Sequence, residues 1–236
     1  MLLTGLVVKQ GNELILPPLY KLSFQPLLAE DIKDLRETDK LGQQRQEATR
    51  SGVITKGKGK LTALVPKVKW DEETEIVFGK TISAHPTFFF YLPYEPTTPP
   101  KNVKFKLLNE EEHEVYTTLK QFNNLPGVVS ISIPETAPPL EVGQNYYWSL
   151  YFIHDDKKRS QDDYLSGWVK RVEPSLALKS KLATATTPWE LLPFYTEESL
   201  WIDALSALAL LRRHPYNPSI QEVLRRYPLN PPPSRG

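Results

Sequence analysis

The sequence predicts a mainly β protein, namely an antiparallel immunoglobulin-like β-sandwich followed by a short α-helical segment. Between residues 60 and 173 there are about eight short strand-like runs, and several of them alternate apolar with polar residues, which is the period of half-buried strands. Prolines separate these runs, and the chain has 22 prolines in 236 residues, about twice the usual share. After Pro174 the apolar spacing changes to that of helices. Many short strands with turn signals between them are typical of a sandwich.

Four parts follow from these changes of pattern. We expect an N-terminal extension and linker over residues 1–59, the β-sandwich over 60–173, a helical region packed on the sandwich over 174–227, and a proline-rich tail over 228–236. Since 236 residues amount to roughly one and a half domains of average size, the chain is long enough to bury a hydrophobic core.

The N-terminal extension contains two apolar runs and a charged segment. Residues 6–8 and 14–16 flank a Gly-Asn turn, so we expect them to pair as a short hairpin. Residues 29–41 alternate charges with sparse apolar residues and are followed by Gly42, which indicates a surface helix. The rest of this part, residues 43–59, is interpreted as a linker.

The predicted strands are residues 61–65, 75–78, 87–92, 102–108, 114–119, 128–133, 146–153 and 164–172. The fourth run is the clearest, because Val103, Phe105 and Leu107 alternate with polar residues. Successive side chains of a strand point to opposite faces, so this run predicts one buried and one wet face.

The helical region begins after Pro174, with a helix over residues 175–185. Thr187 and Glu190 have the spacing of a capping box. The strongest helix is predicted over 197–213, and a last one over 218–227. These residues resemble a single tetratricopeptide repeat, in the spacing of Tyr195, Trp201, Ala204, Leu208 and Pro215. One such repeat cannot bury a core alone, so we expect it to pack on the sandwich or on a partner.

Composition excludes several classes of function. The net charge of +1 gives no electrostatic reason to expect nucleic acid or an anionic membrane as partner. Without cysteine there is no disulfide, no thiolate nucleophile and no cysteine-based metal site. No run approaches the ~18 apolar residues of a membrane span, and no export leader is evident. As written, the chain is expected to be cytoplasmic.

The search for catalytic and cofactor motifs predicts none. Residues 52–58 fit the start of a phosphate-binding loop, but Gly59 stands where the motif needs Ser or Thr, and a strand follows instead of a helix. The four histidines lack a second ligand at metal-binding spacing. Four carboxylates flank three cations in one loop, which favours a self-neutralised hairpin loop over a calcium site: Asp155, Asp156, Asp162 and Asp163.

Dense aromatic residues give the candidate interaction surface. In the sequence Tyr-Tyr-Trp at 146–148, the middle ring must oppose its neighbours. Outward aromatic rings bind protein or stack on sugars, unless the C-terminal helices cover them as a second core. The candidate residues are Tyr147, Tyr151, Trp168, Trp201 and Leu208.

Five ordered segments together resemble a family known from cyanobacteria, the domain of unknown function 928. They are residues 61–66, 85–94, 139–148, 167–174 and 201–205. The resemblance implies the same plan of strands followed by helices and brings no enzymatic role with it. Many members begin with an export leader, where this chain has residues 1–46. Cysteines common in the family are replaced here by Lys60 and by the Ile-His pair at 153–154.

These observations lead to a functional hypothesis of a non-catalytic protein-binding or structural module, with protein (self or another subunit) as partner. The alternatives are a carbohydrate-binding module that uses Tyr147, Tyr151 or Trp168, and a metal-dependent hydrolase built on the aspartates of the 155–163 loop. No nucleic acid, membrane insertion or cofactor is expected.

Overall fold

The computed structural model describes residues 61–69, 75–94, 101–122, 125 and 127–212. The expectations for the N-terminal extension, for the loop at 52–58, for the last helix and for the proline-rich tail lie outside these residues. Within them the chain forms two β-sheets followed by helices, so the predicted β-sandwich with C-terminal helices is confirmed.

The described residues contain nine strands, of which eight overlap the predicted runs; the strand at 67–69 was not predicted, and only residues 62–63 of the run 61–65 form a strand. The strands are β1 (Thr62–Ala63), β2 (Lys67–Lys69), β3 (Glu75–Thr81), β4 (Thr87–Leu92), β5 (Asn102–Leu108), β6 (Glu114–Gln121), β7 (Gly127–Ser132), β8 (Asn145–Phe152) and β9 (Asp163–Arg171). The helices are α1 (Leu176–Thr184), α2 (Leu192–Glu197) and α3 (Trp201–Arg212), with short 3-10 turns at Arg159–Gln161 and Pro188–Leu191.

The two sheets have the strand order of an immunoglobulin-like sandwich. The small sheet is β1-β4-β7, and the large sheet is β2-β3-β9-β8-β5-β6. Within the large sheet, β9-β8-β5-β6 reproduces the G-F-C-C′ order of that fold, and β1-β4-β7 reproduces A-B-E. The expectation of a purely antiparallel arrangement is wrong in one place, because β3 pairs in parallel with β9.

The core between the sheets is built from aromatic rings. Phe88 and Phe90 point inward from β4 and contact Phe105 on β5 and Trp148 on β8, with ring centroids 5.1–6.2 Å apart. All four side chains are at most 1% exposed. The alternation predicted for β5 is confirmed, since its inward side chains are fully buried whereas the lysines between them are only half-buried.

Gly167 on β9 lies directly against the Trp148 indole. A Cβ at this position would stand 2.4 Å from Cζ2 of the indole and 2.7 Å from the Val77 carbonyl oxygen. Real Cβ atoms do not approach other atoms so closely, so the tryptophan packs in this position only because β9 has no side chain there.

The helices cover the outer side of the small sheet. Ile202 of α3 reaches into the main core, and Leu205 packs on Phe89, which points outward from β4. Ser175 caps α1 by accepting a hydrogen bond from the backbone N–H of Leu178. The remaining side chains of the helices form a small core of their own, made of Leu178, Leu191, Leu192, Tyr195, Leu200, Ala204, Ala207 and Leu208.

Two details of the predicted helices differ. The helix expected over 197–213 begins only at Trp201, because Ser199 has a positive φ of 57° that ends the preceding turn. The Thr187–Glu190 pair opens a 3-10 turn, and the Thr187 hydroxyl donates to the Glu190 carboxylate. Hydrogen bonds from Lys181, Thr186 and Thr187 lower the pKa of Glu190 to about 2, so this carboxylate ties α1 to the turn.

A buried carboxylate fastens α3 to the sandwich. Asp203 accepts hydrogen bonds from the Thr81 hydroxyl (3.1 Å) and from the Ile82 backbone N–H (3.2 Å), at the end of β3. Thr81 is fully buried and Asp203 is 8% exposed. Burial raises the pKa of the Asp203 carboxyl from 3.8 to about 7, against the lowering effect of these hydrogen bonds.

The contact at Gly167 makes a first prediction. We expect Gly167→Ala to lower the free energy of unfolding by about 3 kcal/mol, because the new methyl group overpacks the Trp148 site. The measurement is urea unfolding followed by tryptophan fluorescence. The control is Gly143→Ala, where φ is +86° but no atom lies within 4 Å, so about 1 kcal/mol of backbone strain is expected. Equal stability of Gly167→Ala and the wild type would contradict this packing.

Asp203 makes a second prediction, on the pH dependence of stability. Because its pKa is raised in the folded state, the native chain holds a proton that the unfolded chain releases above pH 3.8. The contribution of this group to stability is therefore complete below pH 3.8 and is lost as the pH rises through about 7. We expect Asp203→Asn to remove this loss between pH 4 and 8 in urea unfolding. Asp156→Asn, which removes an exposed carboxylate, is the control and should leave the loss of stability between pH 4 and 8 unchanged.

Candidate functional site

The face of the large sheet that points away from the core carries the aromatic residues singled out in the sequence. On β8, Trp148 and Leu150 point into the core, so Tyr147, Ser149 and Tyr151 point to the opposite side. We call this side the outer face. Its members are Ile76, Phe78 and Lys80 on β3, Tyr164, Ser166, Trp168 and Lys170 on β9, Tyr147, Ser149 and Tyr151 on β8, and Lys104, Lys106 and Leu108 on β5.

One row of apolar side chains crosses four strands of the outer face. The registers place Phe78 beside Trp168, Trp168 beside Tyr147, and Tyr147 beside Leu108. The rings of Tyr147 and Trp168 meet edge to face with centroids 5.2 Å apart. Val68 on β2 and Ile76 extend the same cluster toward the sheet edge.

A second pair of rings lies nearer the end of the sheet where β8 finishes. Tyr151 and Tyr164 face each other across β8 and β9, with centroids 4.8 Å apart. The hydroxyls of Tyr147 and Tyr164 form a hydrogen bond, which connects this pair of rings to the row of apolar side chains. Burial is the main cause that raises the pKa of the Tyr164 hydroxyl, and the neighbouring Tyr147 adds to it.

Lysines border this aromatic surface. Lys80 and Lys170 lie side by side at one end, and Lys104 and Lys106 lie along β5. Lys106 approaches Glu114 on β6 at 3.9 Å, and its side chain remains 37% exposed. An exposed pair at this distance contributes little stability, so the outer face keeps a cationic rim.

The centre of the outer face is buried. Tyr147 is 6% exposed and Trp168 5%, while the small side chains Ser149 and Ser166 are at 5% and 7%. Among the described residues, the hydrophobic cluster on this face is made up of side chains of the large sheet. Lys80, Lys170, Tyr147, Tyr151 and Tyr164 all take part in further polar or ring contacts.

The structure brings together three of the five predicted interaction residues. Tyr147, Tyr151 and Trp168 share the outer face, and the opposition of Tyr147 to its neighbours is confirmed. Tyr147 and Trp168 are buried, and Tyr151 is half-buried. The interpretation that the C-terminal helices cover these rings is wrong for the described helices, because α3 covers Phe89 of the small sheet instead.

The other two candidates lie in the helical region. Leu208 is 7% exposed and packs in the core of the helices. In the spacing that resembles a tetratricopeptide repeat, Leu208 holds a position that packs between helices, which explains its burial. Trp201 is half-buried at the first position of α3.

A separate polar cluster lies at the end of the sandwich, beside the aspartate-rich loop. Asp163, which is 4% exposed, accepts a hydrogen bond from the Tyr94 hydroxyl (2.7 Å) and contacts Nε2 of His154 at 2.8 Å. The Tyr94 ring stacks on Phe152 with centroids 3.6 Å apart. Burial raises the pKa of the Tyr94 hydroxyl, with Asp163 as a second cause.

The four loop aspartates do not converge on one point. Asp162 pairs with Arg159 and accepts the His154 backbone N–H, while Asp155 accepts the backbone N–H of Lys157. The loop lies between β8 and β9, as predicted, and Arg159–Asp162 is an ion pair within it. Across the described ranges, no group of three or more metal-ligating side chains comes together.

Sequence reasoning missed two parts of these arrangements. Phe78 and Tyr164 complete the outer face. Alternation along each strand places them on the same face as Tyr147, but only once the pairing register of the strands is known. The Tyr94–Asp163–His154 cluster joins residues 69 apart in sequence, and no motif spacing indicates it.

The model of one protein family, the Domain of Unknown Function (DUF928), matches residues 45–226 of this sequence. The chain belongs to the DUF928 family. The match spans both the sandwich and the described helices, so the resemblance seen in five sequence segments is confirmed at the level of the family. A comparison with curated proteins found no match.

Two solved structures show distant likeness to this DUF928 chain. The fn3 domain of the human collagen alpha-1(XX) chain is 14% identical, with a TM-score of 0.27, over 53% of this chain and 93% of that one. The sensor domain of the anti-sigma factor RsgI4 from Pseudobacteroides cellulosolvens is 9% identical, with a TM-score of 0.28, over 50% of this chain and 98% of that one. The fold assignment rests on the strand order of the two sheets. No helix among the described residues is long and apolar enough to span a membrane.

The Tyr94 cluster makes a third prediction. Tyr94→Phe keeps the stacking on Phe152 but removes the hydrogen bond to a buried carboxylate, so we expect a loss of about 2 kcal/mol in the free energy of unfolding. Tyr91→Phe is the matched control at the end of β4, since Tyr91 makes no side-chain hydrogen bond within the described part of the chain. Urea unfolding at pH 7 measures both, and equal losses would contradict a structural role of this hydrogen bond.

Proposed function

We propose that this chain is a non-catalytic protein-binding or structural module, and that it holds a polypeptide segment on the outer face of the large sheet. The observation that carries the proposal is the burial of the row formed by Phe78, Trp168 and Tyr147, whose members are at most 6% exposed on the side away from the core.

The serines between the rings are buried as well. Ser149 and Ser166 are adjacent in register at the centre of the outer face, and both are buried. The hydroxyls of Tyr147 and Tyr164 meet across the serine pair, so these two rings cover part of the serine side chains. The case for a second layer therefore depends on the burial of the rings themselves, namely Phe78, Trp168 and Tyr147. An antiparallel sheet usually has one solvated face, so burial on both faces supports a second layer.

The character of the surface supports polypeptide as the occupant. Aromatic side chains are enriched in protein interfaces, and hydroxyl groups among them offer hydrogen bonds to a peptide backbone. A carbohydrate-binding module would instead need a ring face open for stacking on a sugar, and Tyr147 and Trp168 offer little exposed area. A hydrolase would need convergent acidic groups, whereas the loop aspartates have separate partners.

Thiol labelling tests this proposal, and the absence of native cysteine makes every introduced thiol unique. We expect the Ser166→Cys thiol in the full-length chain to react with a maleimide at least about 100-fold more slowly than the Thr117→Cys thiol, which lies exposed on β6. Ser149→Cys is the second variant, in case Ser166→Cys does not fold. Ala207→Cys, in the helix core, marks the rate of a fully buried thiol.

A labelling rate of Ser166→Cys equal to that of Thr117→Cys would show a bare outer face and would overturn the proposal. In the same samples, soluble oligosaccharides at millimolar concentration are expected to leave tryptophan fluorescence unchanged. A saturable change that is lost in Trp168→Phe would favour the carbohydrate-binding alternative instead.

A further inference from the structure

The outer face needs a specific occupant, and we infer that residues 1–59 of the same chain supply it. This inference rests on the proposed function, because it names the polypeptide that lies on the aromatic row. Three observations carry it: the place where the described chain begins, the chemistry of the segment, and the position of the other long segment of the chain.

The described chain begins at the correct end of the sandwich. Thr62 pairs with Tyr91 near the end of β4, and Tyr94, just beyond β4, stacks on Phe152 at the end of β8. Tyr151 and Tyr164 lie one residue from this point on the large sheet. The preceding residues therefore start from the small sheet, at the same end of the sandwich as the second pair of rings of the outer face.

The length of the segment is ample for this path. Four strands of a sheet span roughly 15 Å from first to last, and each extended residue covers about 3.3 Å. Residues 1–59 can cross the outer face more than once.

Residues 1–59 carry nine cations and seven carboxylates in all, and two parts of this segment complement the outer face. The aliphatic runs at 6–8 and 14–16 match the apolar row of Phe78, Trp168 and Tyr147. Residues 29–41 carry five carboxylates and three cations, and the outer face has a rim of four lysines. Opposite charge at the rim of an interface favours the correct register of docking.

The C-terminal segment, residues 213–236, fits the outer face less well in its position and in its charge. Helix α3, which precedes residues 213–236, packs on Phe89 at the outer side of the small sheet, on the far side of the sandwich. These residues carry four arginines and one glutamate, so they would repel the lysine rim.

Photo-crosslinking in the full-length chain tests the inference. The substitution Tyr151→p-benzoylphenylalanine places a photoreactive ring on the outer face, and Leu119→p-benzoylphenylalanine on β6 is the second variant. We expect crosslinked peptides from residues 1–59, in a product that keeps the 27.0 kDa mass of a single chain. Leu176→p-benzoylphenylalanine, at an exposed position of α1, is the control and should not give these peptides.

A second arm uses the Ser166→Cys thiol in the full-length chain. Leu14→Asp together with Leu16→Asp should raise its labelling rate by about tenfold or more, whereas Leu229→Asp in the C-terminal segment should leave it unchanged. The thiol of Ala207→Cys must stay protected, which excludes global unfolding as the cause.

The outcomes separate this inference from the proposed function. If the Ser166→Cys thiol is protected but the crosslinks lie in residues 213–236, in a second copy or in another protein, the outer face binds polypeptide and residues 1–59 are the wrong occupant. If the thiol is unprotected, the proposed function itself fails. Crosslinks to residues 1–59 within one chain support both.

Discussion

The structure depends on one constraint, which is that the middle of the large sheet is buried on both of its faces. Strand β8 shows it most directly, since Trp148 and Leu150 fill the core while Tyr147 and Ser149 are buried on the other side. A strand with two buried faces must be covered by two layers. One layer is the small sheet, and we assign the other to a polypeptide segment on the outer face.

The small sheet shows how this chain uses a second layer. Phe89 points away from the core on β4, as Tyr147 does on β8, and α3 covers it with Leu205. Asp203 then fixes the helix by accepting hydrogen bonds from the end of β3. The buried carboxylate costs desolvation free energy, which its hydrogen bonds offset in part, and the geometry it imposes sets where Ile202 enters the core. The helices are thus part of the packing of the sandwich.

Much of this fold could be predicted from the sequence, because alternation reports the two faces of a strand. The runs at β4 and β5 have the predicted bounds, and the change to helical spacing after Pro174 marks the end of the sandwich. The parallel pairing of β3 with β9 could not be predicted, since it depends on residues about 90 positions apart. Nor could the Asp203 contact, because a single acidic residue on an apolar helix gives no sign of its partner on β3.

The candidate site was predictable in its residues but not in its exposure. Strand parity places Tyr147 opposite Trp148, and only the pairing register then places Trp168 and Phe78 beside it. Whether an outward ring is exposed to solvent depends on what lies over it. Alternation within one strand does not indicate whether a second layer covers that face. The Tyr94–Asp163–His154 cluster was missed for a related reason, because its groups meet through the stacking of two strand ends.

The most direct measurement of the second layer is a set of nuclear Overhauser contacts in the unmodified full-length chain, with methyl-labelled Leu, Val and Ile. Contacts from the ring protons of Tyr147 and Trp168 to methyl groups of residues 1–59 are the expected result. If these rings contact only the methyl groups of their own sheet, at Val68, Ile76 and Leu108, the outer face has no second layer and the assignment of a polypeptide to it is wrong.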